Sequence, residues 1–66
     1  MKRTDLMRRI ARLAKLAKAQ DDKTVFTIRE GGSHTVVTIG DRSTAVPRHN
    51  EIKEPLAKEI LKDLGE

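Results

Sequence analysis

Residues 24–47 read TVFTIREGGSHTVVTIGDRSTAVP, and their alternation decides the fold. Thr24–Glu30 (TVFTIRE) is a predicted strand with Phe26 and Ile28 on one face, because successive side chains of a strand point to opposite sides. Gly31 and Gly32 are expected to make a turn by adopting positive φ. His34–Ile39 (HTVVTI) is a second strand, with Val37 and Ile39 facing inward. Gly40, Asp41 and Arg42 form a tight connection. Ser43–Val46 is a third strand with Val46 inward, closed by Pro47. Three consecutive strands joined by short turns make an antiparallel meander.

The second hairpin leaves two registers open. A two-residue loop at Asp41-Arg42 pairs Gly40 with Ser43, Val37 with Val46, and His34 with His49. A shift of two residues sets Pro47 opposite His34 instead, with Arg48 and His49 just beyond. In both registers the start of the second strand meets the end of the third. His34, Arg48 and His49 then share one edge of the fold.

Outward from the strands lie two helical patterns. Thr4–Gln20 carries Leu6, Ile10, Leu13 and Ala17 on one stripe at 100° per residue. Thr4 is the expected cap, and Asp5 suits the positive end of the helix dipole. Arg8, Arg9, Arg12 and Lys15 gather on the far side, either as a solvated surface or as phosphate contacts. Arg48–Glu54 is a polar loop. A second helix begins near Pro55, with Leu56, Ile60, Leu61 and Leu64 as its apolar face and Gly65 as its stop. The expectation is an α+β domain of order α-β-β-β-α, with a three-stranded antiparallel sheet and two helices on one face.

Sixty-six residues make a single domain with a modest core. That leaves no room for a cofactor domain or a deep substrate cavity, and no cofactor is implied. The net charge of +4 favours polyanionic partners. There is no cysteine, so disulfides, zinc-finger ligands and a cysteine redox site are excluded. No other metal-ligand set is visible. No apolar run approaches the ~20 residues of a membrane helix. The opening residues do not resemble a secretion signal, and a cytoplasmic location is expected.

His34 is one of only two histidines, and it stands beside a glycine-rich turn. Histidine is the commonest general acid or base, and also an ordinary polar residue. RNA cleavage by its own 2′-hydroxyl needs a base, an acid and positive charge on the phosphate. His34, His49 and Arg48 offer those groups, and glycine lets a phosphate approach backbone N–H groups. Taken alone, a Gly-Ser-His string is a weak signal.

The string Arg29-x-x-Gly32-Ser33-His34 resembles that of the HicA family of toxin mRNA interferases. The resemblance continues in Val46-Pro47-Arg48-His49, in Ile60-Leu61-Lys62-Asp63-Leu64-Gly65, and in the opening Lys2-x-x-Asp5-Leu6. It spans nearly the whole chain. The chain departs from the family pattern at Asp22-Lys23-Thr24, at Thr35-Val36, and in the strongly basic first helix. The resemblance implies a fold like a double-stranded-RNA-binding domain. It also implies ribosome-independent mRNA cleavage, growth arrest, and neutralisation by a HicB-type antitoxin. The family's functional histidine falls on His34, with His49 a secondary candidate. Arg29, Gly32, Ser33, Arg48, Arg8, Arg12 and Lys15 are the expected RNA-contacting residues. The competing expectation is a non-catalytic double-stranded-RNA-binding module, and an exposed sheet edge also allows self-association.

Overall fold

The computed structural model describes all residues, Met1–Glu66. The order is α1 (Arg3–Gln20), β1 (Phe26–Glu30), β2 (His34–Ile39), β3 (Arg42–Pro47) and α2 (Glu54–Asp63). The strands form one antiparallel sheet in the order β1-β2-β3, as the alternation predicts. Both helices cover the same face. No helix is long and apolar enough to cross a membrane.

The core draws Leu6, Ile10 and Ala14 from α1, Val37 and Ile39 from β2, and Val46 from β3. Ile52, Ala57, Ile60, Leu61 and Leu64 complete it. Each fully buried aliphatic side chain contributes about 1.5–3 kcal/mol relative to exposure. The α1 stripe is centred one residue away from expectation: Ala14 is buried, while Leu13 and Ala17 are only partly covered. In α2 the buried set is 57, 60, 61 and 64, so Leu56 lies at the margin and is 39% exposed. Phe26 and Ile28 do lie on the inward side, opposite Ile39 and Val37. Ile28 is nevertheless 49% exposed, because β1 is an edge strand beyond the main core.

The second hairpin takes the shifted register. Ile39 pairs with Arg42 and His34 with Pro47, so the loop is Gly40-Asp41 rather than Asp41-Arg42, and His49 does not face His34. Gly40 has φ +64° and Asp41 has no positive φ. A glycine at the first central position with a positive angle is the demand of a type II′ turn, which matches the twist of its strands. β3 accordingly begins one residue earlier and ends one later than expected. β1 begins at Phe26 rather than Thr24, because its partner strand ends at Ile39 and turns away.

The start of α1 also differs. The helix begins at Arg3, so Thr4 is not its cap, and Lys2 caps it with no side-chain bond. The reason lies across the fold. The Arg3 N–H donates to the Asn50 carbonyl at 2.9 Å, and the Ile52 N–H donates to the Met1 carbonyl at 2.7 Å. Backbone from the β3–α2 connection therefore gives a partner to one of the N–H groups that a helix start leaves unpaired. At the other end of the chain, α2 stops as Gly65 predicts. Gly65 has φ +106°, and Gly65 and Glu66 donate back to Lys62 and Leu61 at 3.0 Å each, a Schellman closure. Glu66 then receives both Arg9 donors at 2.9 Å, tying the end of α2 to α1.

Candidate active site at the first hairpin

Thr35, Val37 and Ile39 are buried, so the alternation of β2 places His34, Val36 and Thr38 on the outer sheet face, away from the helices. His34 is exposed, and its Nδ1 lies 3.0 Å from the Ser33 hydroxyl. The contact works in either direction: the hydroxyl donates to a bare Nδ1, or accepts from Nδ1–H and leaves Nε2 as the lone-pair nitrogen. Nε2 is the ring atom left for a ligand.

Arg29 shares this outer face. It pairs with Val36, which makes it a diagonal cross-strand neighbour of His34, a separation typically about 7–8 Å. Its guanidinium makes no hydrogen bond or ion pair within the chain.

The loop Gly31-Gly32-Ser33 is held from behind. The Gly31 N–H donates to the His34 carbonyl at 2.9 Å. The Gly31 carbonyl accepts from Arg48 Nη2 at 2.6 Å, and the same Nη2 donates to Glu30 Oε1 at 2.8 Å. Neither Gly31 nor Gly32 has positive φ, contrary to the turn expected from the sequence. Glycine at 31 answers a different need: a β-carbon there would lie 3.1 Å from the His34 carbonyl oxygen. At Gly32 a β-carbon would meet nothing within 4 Å, so that backbone is open to an approaching group.

Behind Arg48 runs a longer chain of bonds. Glu30 Oε1 also accepts from the Thr35 hydroxyl at 2.8 Å. Thr35 Oγ1 accepts from Arg3 Nη2 at 2.6 Å, and Arg3 Nε donates to the Pro47 carbonyl at 3.0 Å. Thr35 is the one fully buried polar residue of the core, and both roles of its hydroxyl are filled. The Thr35 hydrogen bond holds the Glu30 carboxyl below its usual range. The Arg48 charge and hydrogen bond and the Arg3 charge act in the same direction, against partial desolvation.

Arg3, Glu30 and Thr35 escape a sequence-level search for functional residues. Thr35 carries a signal, since a hydroxyl at an inward strand position needs a buried partner. Arg3 carries none, because its partners are distant in sequence, and Glu30 reads as an ordinary charged strand end although it pairs with Thr35 across the first hairpin. The largest concavity adjoins the same network: an open cleft of about 720 Å³ walled by Lys2, Arg3, Thr4, Glu30, Arg48, Asn50 and Glu51. No hydrophobic residue lines it, unlike the mostly apolar pockets that take small organic ligands.

The other expected residues fall elsewhere. His49 is exposed two positions beyond Pro47 and makes no hydrogen bond or ion pair. Arg8, Arg12 and Lys15 lie on the solvent side of α1, across the molecule from the outer sheet face. Arg8 pairs with Asp5 at 3.4 Å on a surface where such pairs contribute little. Arg12 and Lys15 have no ion-pair partner. The structure thus sets Ser33 against the His34 ring, places Arg29 on the same sheet face and ties Arg48 to the Gly31 carbonyl of the adjoining loop, and does not bring the α1 cations there. The chain matches no protein-family model, no curated protein and no solved structure.

Proposed function

We propose that the protein is a metal-independent endoribonuclease of the HicA type, a toxin whose His34 is the general acid or base and which a HicB-type antitoxin neutralises. The observation that carries this reading is a solvent-facing imidazole oriented by Ser33, on an open sheet face it shares with the unpaired Arg29. In the reaction, the 2′-oxygen attacks the adjacent phosphorus and the bond to the 5′-oxygen breaks. This leaves a 2′,3′-cyclic phosphate and a 5′-hydroxyl. Nε2 of a neutral His34 takes the 2′ proton, or the imidazolium gives one to the departing 5′-oxygen; His49 is the secondary candidate for the complementary transfer. Arg29 supplies charge to the phosphate, and the backbone at Gly32 leaves room for its approach. The antitoxin acts by covering the His34 face.

Purified protein incubated with end-labelled RNA, with and without His34→Ala or His34→Gln, tests the reading. Cleavage that disappears in folded variants supports it; undiminished cleavage refutes it. One observation favours a second reading, a double-stranded-RNA-binding module without catalysis. The α-β-β-β-α order with both helices on one face has that module's shape, and Arg12 and Lys15 are free on α1. RNA retained without shortened products selects it. Self-association remains open to the free edge of β1, where the N–H groups of Phe26, Ile28 and Glu30 point away from β2.

A further inference from the structure

We propose that Arg3, Glu30 and Arg48 are positioning residues, a relay running from Arg3 through Thr35 and Glu30 to Arg48 that fixes the Gly31–Ser33 loop and hence the His34 ring. The proposal rests on the reading of His34 as the reacting group. It also removes Arg48 from the residues that grip phosphate and leaves Arg29 in that role.

The geometry carries it in three steps. First, a loop containing two adjacent glycines loses the most backbone freedom on ordering, so something must hold it. Its one backbone bond to β2 is the Gly31 N–H to the His34 carbonyl. The Gly31 carbonyl has no partner in the ladder, and Arg48 supplies one at 2.6 Å from 17 residues away.

Second, Arg48 is itself aimed. An arginine side chain has many rotamers, and Glu30 selects one by taking the same Nη2 at 2.8 Å. Glu30 in turn is fixed by the buried Thr35 hydroxyl, which itself accepts from Arg3. Arg3 also grips the Pro47 carbonyl, directly across from His34 in the ladder. The relay therefore secures both strands that border the ring.

Third, Arg48 gives the same Nη2 to the Gly31 carbonyl and to the Glu30 carboxylate. Its guanidinium is turned to the loop's rear, whereas Arg29 stands unpaired on the ring's own face.

Glu30→Ala separates positioning from phosphate binding by sign. It removes one negative charge, raising the net charge by one from +4, so electrostatic attraction to RNA strengthens or holds. Loss of the relay misplaces the ring, and kcat is expected to fall roughly ten- to a hundredfold while KM stays level or drops. Glu30→Gln keeps the acceptor oxygen and recovers part of kcat. Arg48→Met, which cuts the relay at its far end, is the second variant in case Glu30→Ala does not fold; it lowers kcat with little change in KM. A rise in KM with kcat intact in Arg48→Met would return Arg48 to phosphate binding and overturn the proposal.

Loop order is read independently of activity. In either variant, amide exchange at Gly31 is expected to quicken by about tenfold while core amides of β2 keep their protection. Unchanged Gly31 exchange overturns the positioning role even if His34 proves essential. Full cleavage by His34→Ala overturns the nuclease assignment instead, and the two failures are thereby distinguished.

Discussion

Replacing Thr35 with valine is the sharpest probe of how the hairpin is held. The shapes of the two side chains are close, and the site is fully buried, so packing barely changes. What goes is a hydroxyl that accepts from Arg3 at 2.6 Å and donates to Glu30 at 2.8 Å. A hydrogen bond to a charged partner contributes about 1.5–3 kcal/mol. Only the Arg3 bond enters the sum, because the Glu30 carboxylate is open to water and is readily rehydrated. Against it stands the added methyl, which returns about 0.8 kcal/mol of apolar burial. The net cost is therefore about 1–2 kcal/mol, a large share of what a domain of this size possesses. For 60–100 residues each kcal/mol moves Tm by about 4–8 °C, so Thr35→Val is expected to melt roughly 4–16 °C lower. Thermal unfolding followed by circular dichroism measures this. An unchanged or raised Tm would show that the buried hydroxyl and Arg3 hold nothing together.

Acid should act through Glu30. Its folded carboxyl titrates below the ordinary value of 4.5, so its stabilising contribution is present above that value and is lost as pH falls through the folded one. Urea midpoints measured down the acid limb should drop less steeply for Glu30→Gln than for the wild type; parallel limbs would deny the linkage. Glycine substitutions should part company by position. Gly40→Ala forces a side chain into φ +64° and should cost about 1–3 kcal/mol. Gly32→Ala, with nothing within 4 Å, should leave stability within about 0.5 kcal/mol while weakening RNA binding. Comparable destabilisation at both sites, by chemical denaturation, would contradict the turn assignments.

The local parts of this fold are legible in the sequence. Strand alternation picks out Val37, Ile39 and Val46, and the glycine stop after α2 follows from chain chemistry alone. The register of the second hairpin is not decided there, because Gly40-Asp41 and Asp41-Arg42 are both plausible two-residue loops until the positive φ of Gly40 is seen. Thr4 is the natural cap of α1 by local pattern, yet the Asn50 backbone, far along the chain, serves the helix start instead. At the candidate site, Ser33 is a sequence neighbour of His34 and is visible from the string alone. Arg48 is visible too, as an expected phosphate contact, but its hydrogen-bond partners are not. Its bond to the Gly31 carbonyl spans a separation that no local pattern encodes. Arg3 is hidden for the same reason, its partners lying 32 and 44 positions away.

The claim at the centre is that the His34 imidazole moves a proton during RNA cleavage. Single-turnover cleavage of labelled RNA by His34→Ala, with folding verified by the same thermal melt as the wild type, measures it directly. General acid–base catalysis is worth about 10²–10⁴-fold, so a loss of that size is expected, with RNA still bound. A folded His34→Ala protein that cuts RNA at the wild-type rate would contradict it.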